Sequence, residues 1–222
     1  MKKENIRRVA SILVNLVIVI WTVQSILQFF VNVRGALLGV AGVTCFRYFT
    51  IDSNILCALS ALVMLIFQLR SLCAGKPLPQ SVLLLKFAGT VTVLLTFSTV
   101  VLFLGPTQGY VKMFSGNGFY LHLVGPVLAA VSLFGLEKGE APVSKKQMLF
   151  GFLPVVIYGA VYLTEVIFIG AENGGWPDFY GFKLGGLWYI SLVVMMAAAL
   201  ALCALSRLCH NRVQWGGRKG SC

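Results

Sequence analysis

Asp52, His122 and Glu165 are titratable side chains embedded in long apolar runs, and they are where this chain has the means for chemistry. An acidic side chain near the centre of a membrane-spanning helix costs roughly 2.5–3.5 kcal/mol on insertion scales, so each one needs a partner, a shallow position or a task. Histidine, with an ordinary pKa of about 6.5, is the side chain best suited to take a proton from a hydroxyl at neutral pH. Such a hydroxyl stands beside the first acid, in Phe49-Thr50-Ile51-Asp52-Ser53-Asn54, a polar opening to an otherwise apolar run. Thr50, Ser53 and Asn54 fall at i, i+3 and i+4 and share one helix face, while Asp52 points about 200° around from Thr50. Thr50 and His122 would form a minimal nucleophile and base pair, with Asp52 or Glu165 orienting the imidazole. Ser53, Asn54 or the first backbone N–H groups of the helix are the donors on offer to an oxyanion.

Each residue also has a plainer use. Thr50 or Asp52 could cap the first turn of its helix, where an acid also meets the positive end of the helix dipole. His122 could be satisfied by a neighbouring tyrosine, carbonyl or acid, and Glu165 could pair with Arg47. Thr90, Thr92, Thr96 and Thr99 suit packing and interhelical hydrogen bonds.

The elements that must position these residues follow from composition. Of 222 residues, 58% are hydrophobic and 11% charged, an apolar share well above the roughly 45–50% of soluble domains. That excludes a soluble enzyme and a disordered chain. Apolar runs at about 9–31, 49–69, 83–104, 119–136, 147–169 and 187–208 each approach the roughly 20 residues that a 30 Å hydrocarbon core requires. The reading is an all-α, six-helix transmembrane bundle forming one integral membrane domain over 1–222, with kinks near Pro126 and Pro154. The first run is a retained signal anchor, too long for a signal peptide and without a small-x-small cleavage site.

Basic residues set the orientation. Fourteen of the 18 Lys and Arg lie at the chain ends and in the second and fourth connections, Lys86 and Arg218 among them, and only Arg34, Arg47, Lys112 and Lys183 lie in the others. By the positive-inside rule both termini are cytoplasmic. Asp52, His122 and Glu165 then share one layer about one helical turn below the opposite surface. The net charge of +11 meets anionic headgroups rather than nucleic acid, because no aromatic and basic stripe accompanies it.

The same topology leaves Cys45 alone on the far side, Cys57 within a span, and Cys73, Cys203, Cys209 and Cys222 at or near the cytoplasmic face, so no extracytoplasmic disulfide is expected. Cys73, Cys203 and Cys209 suit apolar packing or reversible acylation. The two histidines fall on opposite sides and Cys209-His210 offers too few ligands, so neither a metal nor another cofactor is expected. Trp176-Pro177-Asp178-Phe179-Tyr180, between glycines in the last connection, suits an interfacial aromatic belt or a cover that holds an acyl chain and excludes water. Trp176, Asp178 and Phe179 are the substrate-binding candidates there.

Phe46-Arg47-Tyr48-Phe49-Thr50-Ile51-Asp52-Ser53-Asn54-Ile55-Leu56, Leu121-His122-Leu123-Val124-Gly125-Pro126 and Gly175-Trp176-Pro177-Asp178-Phe179 resemble segments of the androgen-induced protein family and its bacterial relatives. The resemblance follows span order over nearly the whole chain. Animal members are threonine hydrolases that cleave fatty acid esters of hydroxy fatty acids. The resemblance thus implies Thr50 as nucleophile, His122 as general base, and a membrane lipid or acyl ester as substrate. The Asp52-Ser53-Asn54 run and the Gly-Trp-Pro-Asp-Phe segment look closer to the bacterial branch, which implies a bacterial plasma membrane. The expectation is an intramembrane lipid ester hydrolase. The rivals are a carrier whose polar path is lined by Asp52, His122 and Glu165, and a structural multi-pass protein whose polar layer holds helices together.

Overall fold

A computed structural model describes residues 2–31, 40 and 42–216 of the chain. Among them six helices are long and apolar enough to cross a membrane: α1 (Glu4–Val31), α2 (Phe49–Ala74), α3 (Gln80–Gln108), α4 (Asn117–Leu136), α5 (Gln147–Ile169) and α6 (Trp188–Trp215). This is the architecture of an integral, multi-pass membrane protein. The helices outrun the apolar runs chiefly at their polar ends. Backbone hydrogen bonding continues through Arg207 and Arg212 in α6, where hydropathy has already fallen. Arg34, Arg218, Lys219 and Cys222 lie outside the described residues.

The proline effects are local changes of winding. Val100–Leu104 and Tyr120–Val124 form wide π turns immediately before Gly105-Pro106 and Gly125-Pro126. Proline has no N–H for the carbonyl four residues back, and its ring pushes that carbonyl aside, so the preceding turn opens. Before Pro154 the start of α5 is tightened instead, into a 3-10 turn over Gln147–Gly151.

α3 is the central helix. In its most apolar stretch 61% of residues are buried, against 17% in α5 and in α6. α1, α2 and α4 pack on one side of it, where Ile18, Cys57, Ala61, Val93 and Ala129 make a buried cluster. On the other side α5 and α6 close over Leu95, Val155 and Ala199. Gly89 sets the closeness of α2 and α3, because a Cβ there would lie 2.9 Å from the Cα of Cys57. Leu13, Val17, Ile20, Val193 and Leu205 remain exposed on the outside, the surface that lipid chains would cover.

The half of the bundle nearer the termini encloses charges that the hydropathy reading misplaces. Lys86, counted above among the basic residues of the second connection, is fully buried within α3. Glu137, at the end of α4 and outside the set of acids first singled out, is also fully buried. Asn15 of α1 stands between them: its Oδ1 accepts from Lys86 Nζ at 2.7 Å, and its Nδ2 donates to Glu137 Oε1 at 2.7 Å. Ser11 and Ser132 hydroxyls donate to the same carboxylate oxygen, and His210 Nε2 of α6 lies 3.1 Å from the Glu137 carbonyl. Removing Lys86 from the orientation count leaves thirteen basic residues against four.

Breaking one side of a buried charge pair costs about 3–5 kcal/mol, since the remaining ion is stranded in a medium that cannot solvate it. Lys86→Met is therefore expected to lower stability by that order in detergent unfolding. Lys86→Met with Glu137→Gln restores neutrality and should unfold later than Lys86→Met alone. Losses that simply add would show that the two charges do not interact.

Candidate functional site

Tyr48, with extended backbone, immediately precedes α2 and makes no side-chain cap. Neither Thr50 nor Asp52 caps the helix, contrary to the plainer expectation for them. The first N–H, that of Phe49, donates instead to the Tyr180 hydroxyl of the last connection at 3.0 Å. Burial pushes the Tyr180 phenol well above the ordinary tyrosine range, so it keeps its neutral hydroxyl at physiological pH.

From that start the helix turns Thr50, Ser53 and Asn54 into the bundle, where all three are buried, as their shared face requires. Ser53 Oγ lies 2.9 Å from Thr96 Oγ1 of α3 and 3.1 Å from the Thr50 carbonyl, to which it donates. Asn54 Nδ2 donates to the Thr50 carbonyl at 2.7 Å and to the Leu121 carbonyl at 3.1 Å. One amide thus ties the backbone of the candidate nucleophile to the residue beside the candidate base. The approach of α4 depends on Gly125, where a Cβ would sit 3.2 Å from Asn54 Oδ1.

His122 is buried on the π turn of α4, and its Nδ1 lies 2.7 Å from the Met113 carbonyl. A carbonyl only accepts, so Nδ1 carries the hydrogen and Nε2 keeps its lone pair. That is the tautomer a general base needs. The orienting group is therefore a main-chain carbonyl from the connection between α3 and α4, and not Asp52 or Glu165. Among the described residues no hydrogen bond joins the Thr50 hydroxyl to His122, and none joins any two of Asp52, His122 and Glu165. The oxyanion donors suggested by the sequence are also engaged: Asn54 and Ser53 as above, Phe49 N–H with Tyr180.

Asp52 points away from this pocket into a groove of about 690 Å³ between α2, α3 and α5. Ser53 and Thr92 also line the groove, whereas Thr50 and His122 do not. Glu165 is half-buried on the closing π turn of α5, and it forms no ion pair with Arg47. The Arg47 guanidinium lies over the Trp176 ring, 5.9 Å from its centroid.

The three candidates of the last connection part company. Trp176 lines the mouth of the groove. Phe179 stacks on Tyr48 at 4.3 Å between ring centroids and meets Tyr162 edge-on at 5.2 Å. Asp178 is occupied within its own loop: Oδ1 accepts from the Tyr162 hydroxyl at 2.9 Å and Phe182 N–H at 2.7 Å, and Oδ2 from Lys183 N–H at 2.8 Å. These bonds tie Asp178 to α5 and shape the segment that carries Tyr180. Sequence reasoning missed Tyr180 and Met113. Tyr180 sits in an aromatic-rich stretch that signals an interface, and a main-chain carbonyl carries no residue-type signal at all.

Losing a first-turn acceptor commonly costs a helix about 1 kcal/mol, close to the 1.4 kcal/mol of a tenfold change in an equilibrium. Tyr180→Phe is expected to speed amide exchange in the first turn of α2 up to roughly tenfold, with α3 unchanged. Unaltered exchange at Phe49 would show that the phenol is not the cap. Comparison with known protein families, curated proteins and solved structures finds no match.

Proposed function

We propose that the protein is an intramembrane lipid ester hydrolase with Thr50 as nucleophile and His122 as general base. His122 carries this reading: Met113 holds the imidazole as the Nδ1–H tautomer, in a buried layer that Asn54 links to Thr50. The resemblance of the Thr50 and His122 segments to a threonine hydrolase family supports the same assignment. In the reaction, Thr50 Oγ1 attacks the acyl carbonyl carbon while Nε2 takes the hydroxyl proton. The bond to the leaving alcohol then breaks, and that alcohol recovers the proton from His122. Water attacks the resulting acyl-threonine with His122 again relaying the proton, which releases a fatty acid and restores Thr50. Thr50 and Nε2 close to hydrogen-bond distance when substrate binds, as catalytic contacts commonly tighten in the substrate complex.

A fluorophosphonate probe tests for the activated hydroxyl. Purified protein should be labelled, and Thr50→Ala and His122→Ala should each abolish labelling while leaving the detergent melting curve close to that of the wild type. Labelling that survives either substitution, or a folded wild type that does not react, overturns the mechanism.

A second reading, a gradient-driven carrier, is favoured by one observation, the fully buried Lys86, Asn15 and Glu137 chain across α3, α1 and the end of α4. Ionisable groups inside a membrane often mark proton or solute paths. On this reading proteoliposomes take up solute or protons only under an imposed gradient, and Glu137→Gln stops the uptake. Tight vesicles with no gradient-dependent flux rule it out.

A further inference from the structure

The groove between α2, α3 and α5 meets the helix that carries Thr50, yet neither Thr50 nor His122 lines it. It has a built polarity. On α3 it runs from Ser81 to Thr92, eleven residues or about 16 Å of helix rise. Ser81 stands in the first turn of α3, and Ser53 bonds Thr96, so Asp52 lies level with the part of α3 beyond Thr92 and the groove crosses most of the bundle. Leu84, Leu85, Leu153 and Ile157 make this part of the wall apolar. At the other end the lining changes to Phe46, Phe49, Tyr158 and Trp176 around Asp52. Two other polar groups beside Asp52 are engaged. Ser53 bonds Thr96, and the Thr92 hydroxyl donates to carbonyls of its own helix. The Asp52 carboxylate has no hydrogen bond or ion pair among the described residues. Beside this mouth Arg47 is exposed, with its guanidinium on the outer ring, Trp176.

We infer that this groove is a binding site for one phospholipid with a zwitterionic, amine-bearing headgroup. The acyl chain lies along the α3 and α5 wall, the ammonium meets Asp52 and the aromatic rings, and the phosphate meets Arg47. Charge decides the occupant. A carboxylate walled by aromatic faces attracts a cation twice over, through its own charge and through the ring quadrupoles, and Arg47 supplies the matching positive charge for a phosphate. A free fatty acid or an anionic phospholipid without an amine offers nothing to Asp52 and is repelled by it. The site stands apart from the hydrolase reading, because neither Thr50 nor His122 lines it and its assay reads binding alone.

The test is native mass spectrometry of the full-length protein in detergent, titrated with dioleoyl-phosphatidylethanolamine and dioleoyl-phosphatidylglycerol. We expect one tightly held phosphatidylethanolamine per chain, preferred roughly tenfold over phosphatidylglycerol, the size of an exposed ion pair and a cation–π contact together. Asp52→Asn should remove the preference without lowering the melting temperature. Leu153→Trp, which fills the apolar wall and leaves Asp52 and Arg47 in place, should weaken both lipids. Phosphoethanolamine without acyl chains should fail to displace the lipid at equal concentration. Equal retention of the two lipids by the wild type, a preference that survives Asp52→Asn, or displacement by the headgroup alone would overturn the assignment.

Discussion

Lys86 carries its ammonium into the middle of the bundle, where no water can solvate it, so the surrounding helices must bring it oxygen atoms. Asn15 brings the first from α1, and through its own amide it reaches the Glu137 carboxylate at the end of α4. The charges are thereby balanced across three helices without direct contact. Ser11 and Ser132 donate to the same Oε1 of that carboxylate, and His210 brings α6 to the Glu137 carbonyl. In a medium as apolar as Leu side chains there is little hydrophobic drive between helices, and polar contacts with close packing decide which ones meet. The Lys86 cluster supplies the polar contacts, and small residues such as Gly89 supply the close approach.

At the opposite end the organising element is the first turn of α2. Its two faces open onto different chemistry. Ser53 meets a hydroxyl of α3 and Asn54 a carbonyl of α4, while Asp52 faces the apolar groove, which Ser53 also borders. The last connection joins the two. Asp178 folds that segment on itself, Tyr180 reaches the helix start, and Trp176 walls the groove. One turn of helix thus borders both an enclosed polar layer and a lateral groove.

The π turns show how local sequence and site geometry meet. Pro126 cannot donate to the carbonyl four residues before it, and that residue is His122. The turn containing the histidine is therefore wider than an α turn. The Met113 carbonyl then supplies the acceptor that Nδ1 needs. An acid in that position would favour the charged imidazolium. A neutral carbonyl fixes the tautomer without adding charge to the buried layer.

Six helices, their order and the facing of Thr50 and Asn54 away from Asp52 were legible in the sequence, because apolar length and helical period are properties of neighbouring residues. Lys86 and Glu137 were misread for the same reason. Each lies at the edge of an apolar run, where hydropathy cannot tell a side chain reaching outward from one reaching back into the core. The partner of His122, the capping of α2 by Tyr180 and the Lys86 to Asn15 contact were decided by tertiary structure alone. The last two join residues 131 and 71 positions apart, and the first depends on a main-chain carbonyl that every residue possesses. Period and composition describe what a segment can bury, whereas a hydrogen bond between distant segments is chosen only when packing brings a donor and an acceptor within about 3 Å.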